Sequence, residues 1–294
     1  MDIPKEPAPA LSTAGLSMRF GKNDVLSDVD MRVPAGSVYG LLGRNGVGKS
    51  TLLHLALGLL TPTAGRISVL GLDPARQSRE LLERVGYIPE RLPLYDWMTV
   101  DEIVAFTAAQ YRRWSNEEAD RLIAKFRLDR KKRVKELSRG GLALLALVLA
   151  MSHDPELVLL DECTSGMDAI HRTEFDRTVI ETLQEAKRTV VFASHQIREL
   201  EFLCDWVGII DGGRLIVQEP VDDLKAAVKT LRLRGEYPPA EFAGELRRQQ
   251  LGREWLVTVR DIRRLASADV AGVDETIDLS LEEIFVALVQ DAEG

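Results

Sequence analysis

The sequence predicts an α/β fold organised around a parallel sheet, and three stretches carry that prediction. The apolar run Val38 to Leu42 leads at once into Gly43-Arg44-Asn45-Gly46-Val47-Gly48-Lys49-Ser50-Thr51 and then into an apolar helix, the order strand, glycine loop, helix. Leu157 to Leu160 and Thr189 to Ala193 are continuous apolar runs, suited to parallel strands that are covered on both faces. Between them lie helix starts: Thr99 with Glu102 and Ser115 with Glu118 form capping-box patterns ahead of apolar residues at helical spacing.

Composition narrows the class. At 294 residues with 45% hydrophobic, the chain has material for about two compact units. A formal charge of −8 and a pI near 5.2 argue against nucleic acid as the main partner. The two cysteines, Cys163 and Cys204, supply neither a disulfide framework nor metal-ligand spacing and fit a reducing compartment. Met1 to Ala10 lacks the apolar centre of a signal peptide, and reads as a flexible tail. The longest apolar run, Leu142 to Met151, is half the roughly 20 residues that a membrane helix requires, so no span is expected.

In chain order, Leu16 to Phe20 and Val25 to Val33 read as antiparallel strands about the turn Gly21 to Asp24. Phe20 ends the first, where an aromatic face either joins the core or stacks on a base. The glycine loop fits G-x-x-x-x-G-K-[ST], whose backbone amides converge on phosphate. Lys49 then reaches the β- and γ-phosphates, Ser50 faces Mg²⁺, and the helix Thr51 to Leu60 adds its positive end. Strands follow at Arg66 to Leu70 and Arg84 to Ile88, the second stopped by Pro89. A helical segment occupies about 93–150, within which the basic run Arg127 to Lys135 reads as a solvated connection. Trp206 to Ile210 and Arg214 to Val217 form a hairpin across Asp211-Gly212-Gly213. From Val221 the pattern changes: strands near Thr230 to Arg234 and Trp255 to Val259, then a helix from Ser280 with Leu281, Ile284 and Leu288 on one face, read as a small α/β appendage over 221–294.

The chemistry lies at strand ends. Leu157 to Leu160 ends in Asp161-Glu162, and ligands of open α/β sheets bind at the carboxyl ends of the strands. Asp161 is placed to hold Mg²⁺, and Glu162, one residue farther out, to polarise a water for attack on a γ-phosphate. His195 closes the next strand and brings a second polar side chain to the same edge.

Taken together, these segments resemble the ATP-binding subunits of ABC transporters over about Leu11 to Val217. The family's elements occur in order: Walker A (Gly43 to Thr51), signature (Leu137-Ser138-Arg139-Gly140-Gly141), Walker B (Leu157 to Asp161), catalytic Glu162, D-loop (Ser165 to Asp168) and switch His195. The resemblance implies a RecA-like P-loop NTPase core with an antiparallel β subdomain and a helical insertion over 11–220. It implies ATP and Mg²⁺ as cofactors, Phe20 as the base-stacking aromatic, Gly43, Asn45, Gly46, Gly48, Lys49, Ser50 and Thr51 around the phosphates, and Glu90 beside Ser50 and Asp161 as a metal-side ligand. Three positions depart from the family pattern: Glu90 replaces glutamine, the signature reads L-S-R-G-G, and Cys163 replaces proline. The first two are similar to a subgroup of bacterial ABC-2-type exporters, as is Ser280-Leu281-Glu282-Glu283-Ile284-Phe285.

In such proteins ATP is completed in trans. Ser138 and Gly140 of one subunit, at the start of a helix from Leu142, would face the γ-phosphate held by the Lys49 of another. The implied protein is an ATPase motor, a homodimer or heterodimer on a separately encoded transmembrane permease at the cytoplasmic face of the inner membrane, with no nucleic acid partner. The alternative is a soluble ATPase of the same family that remodels nucleic acid or ribosomes. The stretch Glu90 to Met98, with Leu94, Tyr95, Trp97 and Met98 in a short proline-stiffened segment, is either a docking surface for the membrane subunit or a seal between insertion and core.

Overall fold

The computed structural model describes residues 8–163, 167, 175, 177–182, 188–236, 238–262, 265 and 272–291. Its centre is a six-stranded sheet of β4 (Val38–Leu42), β6 (Val85–Ile88), β7 (Leu157–Asp161), β8 (Thr189–Ser194), β9 (Trp206–Asp211) and β10 (Arg214–Pro220), in the order β10-β9-β4-β8-β7-β6. All neighbouring pairs are parallel except β9 and β10, the hairpin expected from the Asp211-Gly212-Gly213 turn. Every residue of β4, β7 and β8 is buried, which explains why these strands carry no polar alternation.

Alternate side chains of these strands serve two cores. Val38, Leu42, Val158, Leu160, Val190 and Phe192 join the core beneath the helical insertion. Tyr39, Leu41, Leu157, Leu159, Val191 and Ala193 join a second core with α1 (Lys49–Ala56) and an antiparallel sheet. That sheet is built on β1 (Leu11–Phe20), which pairs with β2 (Asn23–Val29), β3 (Arg32–Val33) and β5 (Ala64–Val69).

Several boundaries differ from those expected. β1 starts at Leu11 rather than Leu16, because Leu11 to Ala14 pair with β3 and β5 beyond the reach of β2. The single strand expected over Val25 to Val33 is split in two; Asp28 takes a left-handed φ of 54°, yet Val29, Met31 and Val33 stay buried in alternation. The phosphate-loop helix ends at Ala56, not Leu60: Gly58 turns with φ 70° and Leu59 is left 60% exposed.

The helical insertion holds α3 (Val100–Ala108), α4 (Asn116–Lys125) and α5 (Arg139–Met151), following the short α2 (Ser78–Leu82). Thr99 and Glu102 make the reciprocal capping box, and Ser115 accepts from the Glu118 amide. The basic run keeps its charged heads outward around the fully buried Val134, with Arg130 shared by Asp101 and Asp120. α5 begins three residues before the expected Leu142, because Ser138 Oγ accepts from the Gly141 amide at 3.1 Å and caps the helix there.

After β8 come α6 (Ile197–Leu200), α7 (Val221–Ala227) and a second antiparallel sheet of β11 (Lys229–Arg234), β12 (Glu245–Leu251), β13 (Glu254–Val259) and β14 (Val273–Asp278), ordered β12-β13-β11-β14. Its small core is Leu231, Leu233, Val257 and Val259. The closing α8 (Leu281–Asp291) follows Ser280, which exchanges hydrogen bonds with Glu283. Leu281, Ile284 and Leu288 pack into the core under the helical insertion rather than into this sheet's own. Among the described residues no helix is long and apolar enough to cross a membrane.

Candidate functional site

Sheet register decides what meets at the carboxyl edge. Leu42 lies opposite Ser194, Ala193 opposite Asp161, and Leu160 opposite Ile88, so Gly43 and His195, and one residue lower Glu162 and Glu90, come to the same edge. They open into a cavity of about 360 Å³ lined by Asn45, Gly46, Gly48, Lys49, Ser50, Thr51, Glu90, Glu162 and His195. A larger hollow of about 820 Å³, walled by arginines and glutamates from Arg76 to Arg84 and by Arg112 and Arg113, lies apart from the loop. Chemistry, rather than size, singles out the first.

The loop has no room for side chains at two of its glycines. A Cβ at Gly43 would fall 2.6 Å from the Ile210 carbonyl oxygen, and one at Gly48, where φ is 108°, 2.6 Å from Leu26 Cδ2. Gly48 is also the N-cap of α1 and provides no side-chain acceptor, so the helix presents its first-turn amides to the cavity.

Lys49 is buried at 5% exposure, with its ammonium donating to the Gly43 carbonyl at 2.7 Å and the Arg44 carbonyl at 3.2 Å. Its third partner is Glu162 Oε1, also at 3.2 Å. The other oxygen, Glu162 Oε2, is 2.5 Å from His195 Nδ1; an ionised carboxylate only accepts, so Nδ1 carries the hydrogen. Glu162 itself adopts φ 48°, held there by its amide donating to Ala193 O at 3.0 Å.

On the next strand end, Ser50 Oγ donates to Asp161 Oδ1 at 3.0 Å. Burial pushes the Asp161 carboxyl above its ordinary range, opposed by the Ser50 hydrogen bond and His54, and reinforced by Glu162 and Glu90. Tyr87 OH lies 3.5 Å from Asp161 Oδ2 and 3.3 Å from His54 Nε2, and its own pKa is raised by burial and by Asp161. This crowding of carboxylates favours a cation, and a hydroxyl beside a carboxylate is a hard-oxygen set suited to Mg²⁺. Among the described residues no group of three or more His, Cys, Asp or Glu could hold a metal alone. A divalent ion here would therefore share its coordination with phosphate oxygens and water, the usual habit of Mg²⁺.

Other expected site residues do not line the cavity. Phe20, 47% exposed at the end of β1, and Ser138 and Gly140 at the start of α5 are not on its wall. A Cβ at Gly140 would meet nothing within 4 Å, so Gly140 itself borders open space in this chain. Of the D-loop, Ser165, Gly166 and Asp168 lie outside the described residues; Met167 is buried. Sequence reasoning missed Tyr87 and His54, which meet from a strand and a helix 33 residues apart with no local signal for the meeting.

Strand, glycine loop and helix, with acidic and histidine side chains at the ends of the adjacent strands, define a P-loop ATPase. Residues 26–165 match the sequence model of the family described as ABC transporter. The bacitracin transport ATP-binding protein BcrA of Bacillus licheniformis is 34% identical over 217 residues, covering 73% of this chain and 71% of that protein. The linearmycin resistance ATP-binding protein LnrL of Bacillus subtilis is 28% identical over 290 residues, 96% of this chain and 90% of that one. A solved ATP binding subunit of an ABC transporter superposes with a TM-score of 0.66 at 29% identity, over 74% of this chain and 92% of that one. This chain belongs to the ATP-binding subunits of ABC transporters, a family of ATPases that act on transmembrane partners.

Proposed function

We propose that this chain is the ATP-hydrolysing motor of an ABC exporter, working as a nucleotide-sandwich dimer on a separate transmembrane permease. The observation that carries this reading is the Glu162 carboxylate, held between the Lys49 ammonium and the His195 imidazole at the mouth of the phosphate loop. The name of the bacitracin transport relative supports transport, and that of the linearmycin resistance relative supports its outward direction. In this reading residues 11–220 form the ATP-binding domain, with the insertion over about 93–150, and 221–294 form an appendage; the subunit sits peripherally on the cytoplasmic face of the inner membrane.

Each side chain then has a task. Gly43, Asn45, Gly46, Gly48 and Thr51 present backbone amides to the phosphates, and Lys49 neutralises the β- and γ-oxygens. Glu162 takes the proton of the attacking water, while His195, aligned by its hydrogen bond to that carboxylate, lies against the γ-phosphate. Phe20 stacks on the base. Ser50, Asp161 and Glu90 would hold Mg²⁺, which supplies charge neutralisation between the phosphates when bound. Ser138 and Gly140 serve the site of the partner subunit, a role that fits their absence from the wall of this chain's own cavity. Replacing Lys49 with Ala tests the assignment: ATP binding and turnover should nearly vanish, and wild-type activity would refute the site. Recovery of a multi-span membrane protein with the tagged chain from native membranes tests the transport reading; its absence, with the ATPase intact, favours the soluble remodelling alternative.

A further inference from the structure

His195 is separated from α6 by Gln196 alone. A helix of one turn has too few internal hydrogen bonds to hold its own position, so contacts with the rest of the fold decide where α6, and with it His195, stands. Ile197 and Leu200 join the large core shared with the central sheet, and the polar contacts that hold α6 from outside come from the C-terminal part of the chain. Glu201, which caps α6, is only 9% exposed along its side chain; its Oε1 accepts from Lys225 Nζ on α7 at 2.5 Å and its Oε2 from the Leu281 amide at 3.2 Å. That amide is an orphan donor of the first turn of α8, where a carboxylate is favoured. One turn away, Arg198 pairs with Glu282, and Ile197 and Leu200 share a core with Leu281 and Ile284.

We infer that Glu201 is a positioning residue for hydrolysis: it clamps the His195 segment to α7 and α8, so the C-terminal residues set where the imidazole meets the γ-phosphate. The inference rests on the role proposed above for His195. It gives 221–294 a task in the reaction although none of its described residues lines the cavity.

The test uses the full chain with Glu201→Ala and Glu201→Gln. Glutamine keeps an oxygen that accepts from Leu281 or Lys225, whereas alanine releases both helices. Glu201→Ala should lower kcat about ten- to a hundredfold, the cost of misplacing rather than deleting a catalytic group. KM for ATP should stay within about twofold and Glu201→Gln should recover most of the loss. The imidazole NMR signal of His195, identified by its loss in His195→Gln, should shift in Glu201→Ala while those of His54 and His153 stay in place. An unchanged kcat, an unmoved His195 signal, or a parallel rise in KM overturns the inference. If Glu201→Ala fails to fold, the exposed pair decides: Arg198→Glu and Glu282→Arg should each lower kcat and the double swap restore it, and no change in any of the three overturns the clamp. His195→Ala separates the two readings. Full activity there removes the proposed role of His195 itself, whereas an inactive His195→Ala beside an undisturbed Glu201→Ala removes only the clamp.

Discussion

Glu162 Oε1 and Lys49 Nζ lie 3.2 Å apart within the protein, so the carboxylate suited to activate water also partners the cation suited to bind phosphate. Phosphate oxygens entering the loop compete with that carboxylate for the same ammonium. Glu162→Gln should therefore cut hydrolysis by roughly 10²–10⁴-fold while leaving ADP affinity undiminished or raised, since it removes a general base and a competing charge together. ADP titration reports binding free of turnover; weaker ADP binding by the variant would contradict the competition.

Ser138 and Lys49 are expected to complete one site from two chains. Ser138→Arg subunits should clash with a phosphate held opposite, and Lys49→Ala subunits lack the phosphate cation, so either homodimer should be inactive. Mixed, they rebuild one composite site and should recover part of the ATPase rate. No recovery at any mixing ratio would rule out completion in trans.

The segment after Glu90 divides its apolar side chains. Leu92, Leu94 and Met98 pack against the core under the insertion, whereas Tyr95 and Trp97 remain 48% and 63% exposed. Tyr95 stacks edge-on against Phe106 with ring centroids 5.5 Å apart, and Trp97 adds a third ring 6.0 Å from Tyr95. Replacing Tyr95 and Trp97 with Ser should leave folding and ATP binding intact and weaken assembly with the permease by about 2–4 kcal/mol, the scale of an aromatic hot spot. Assembly at wild-type strength would place the docking surface elsewhere.

His153 gives stability a pH dependence. It stacks on Tyr111 at 4.1 Å, and burial lowers its pKa below the ordinary histidine value. The unfolded chain therefore binds a proton that the folded chain resists, and stability drops as pH falls from about 6.5 toward the folded pKa, by at most about 1.4 kcal/mol per pH unit. His153→Phe, which keeps an aromatic ring against Tyr111, should flatten this part of the profile. Urea midpoints at pH 7.5 and 5.5 provide the check, and an equal drop in both proteins would exclude His153 as the source.

The buried parallel strands, the phosphate loop and the strand-end carboxylates were legible because each is a local pattern: an apolar run, a glycine spacing, a charge at a run's end. β12 and β14 were not. Their burial is shallow, and Arg247, Arg248 and Gln249 in β12, like Asp274 and Glu275 in β14, give a polar sequence that pairing with β13 and β11 alone makes into strands. The order β10-β9-β4-β8-β7-β6 and the meeting of Tyr87, His54 and Asp161 depend on contacts across the chain that no window of sequence contains. The boundary at Arg139 was missed because the apolar residues that mark α5 begin only at Leu142, after two glycines that the Ser138 cap carries into the helix.

The left-handed backbone at Glu162 sets two demands on one codon. Glycine and asparagine tolerate a φ of 48° better than most residues, and β-branched residues tolerate it least. In a saturation library at position 162, ranking by thermal stability should therefore put glycine and asparagine first among the uncharged residues, all of which lose the ion pair with Lys49. Ranking the same clones by ATP turnover should leave glutamate alone at the top. The distance between the two rankings measures how much conformational stability selection for turnover has set aside at this one residue.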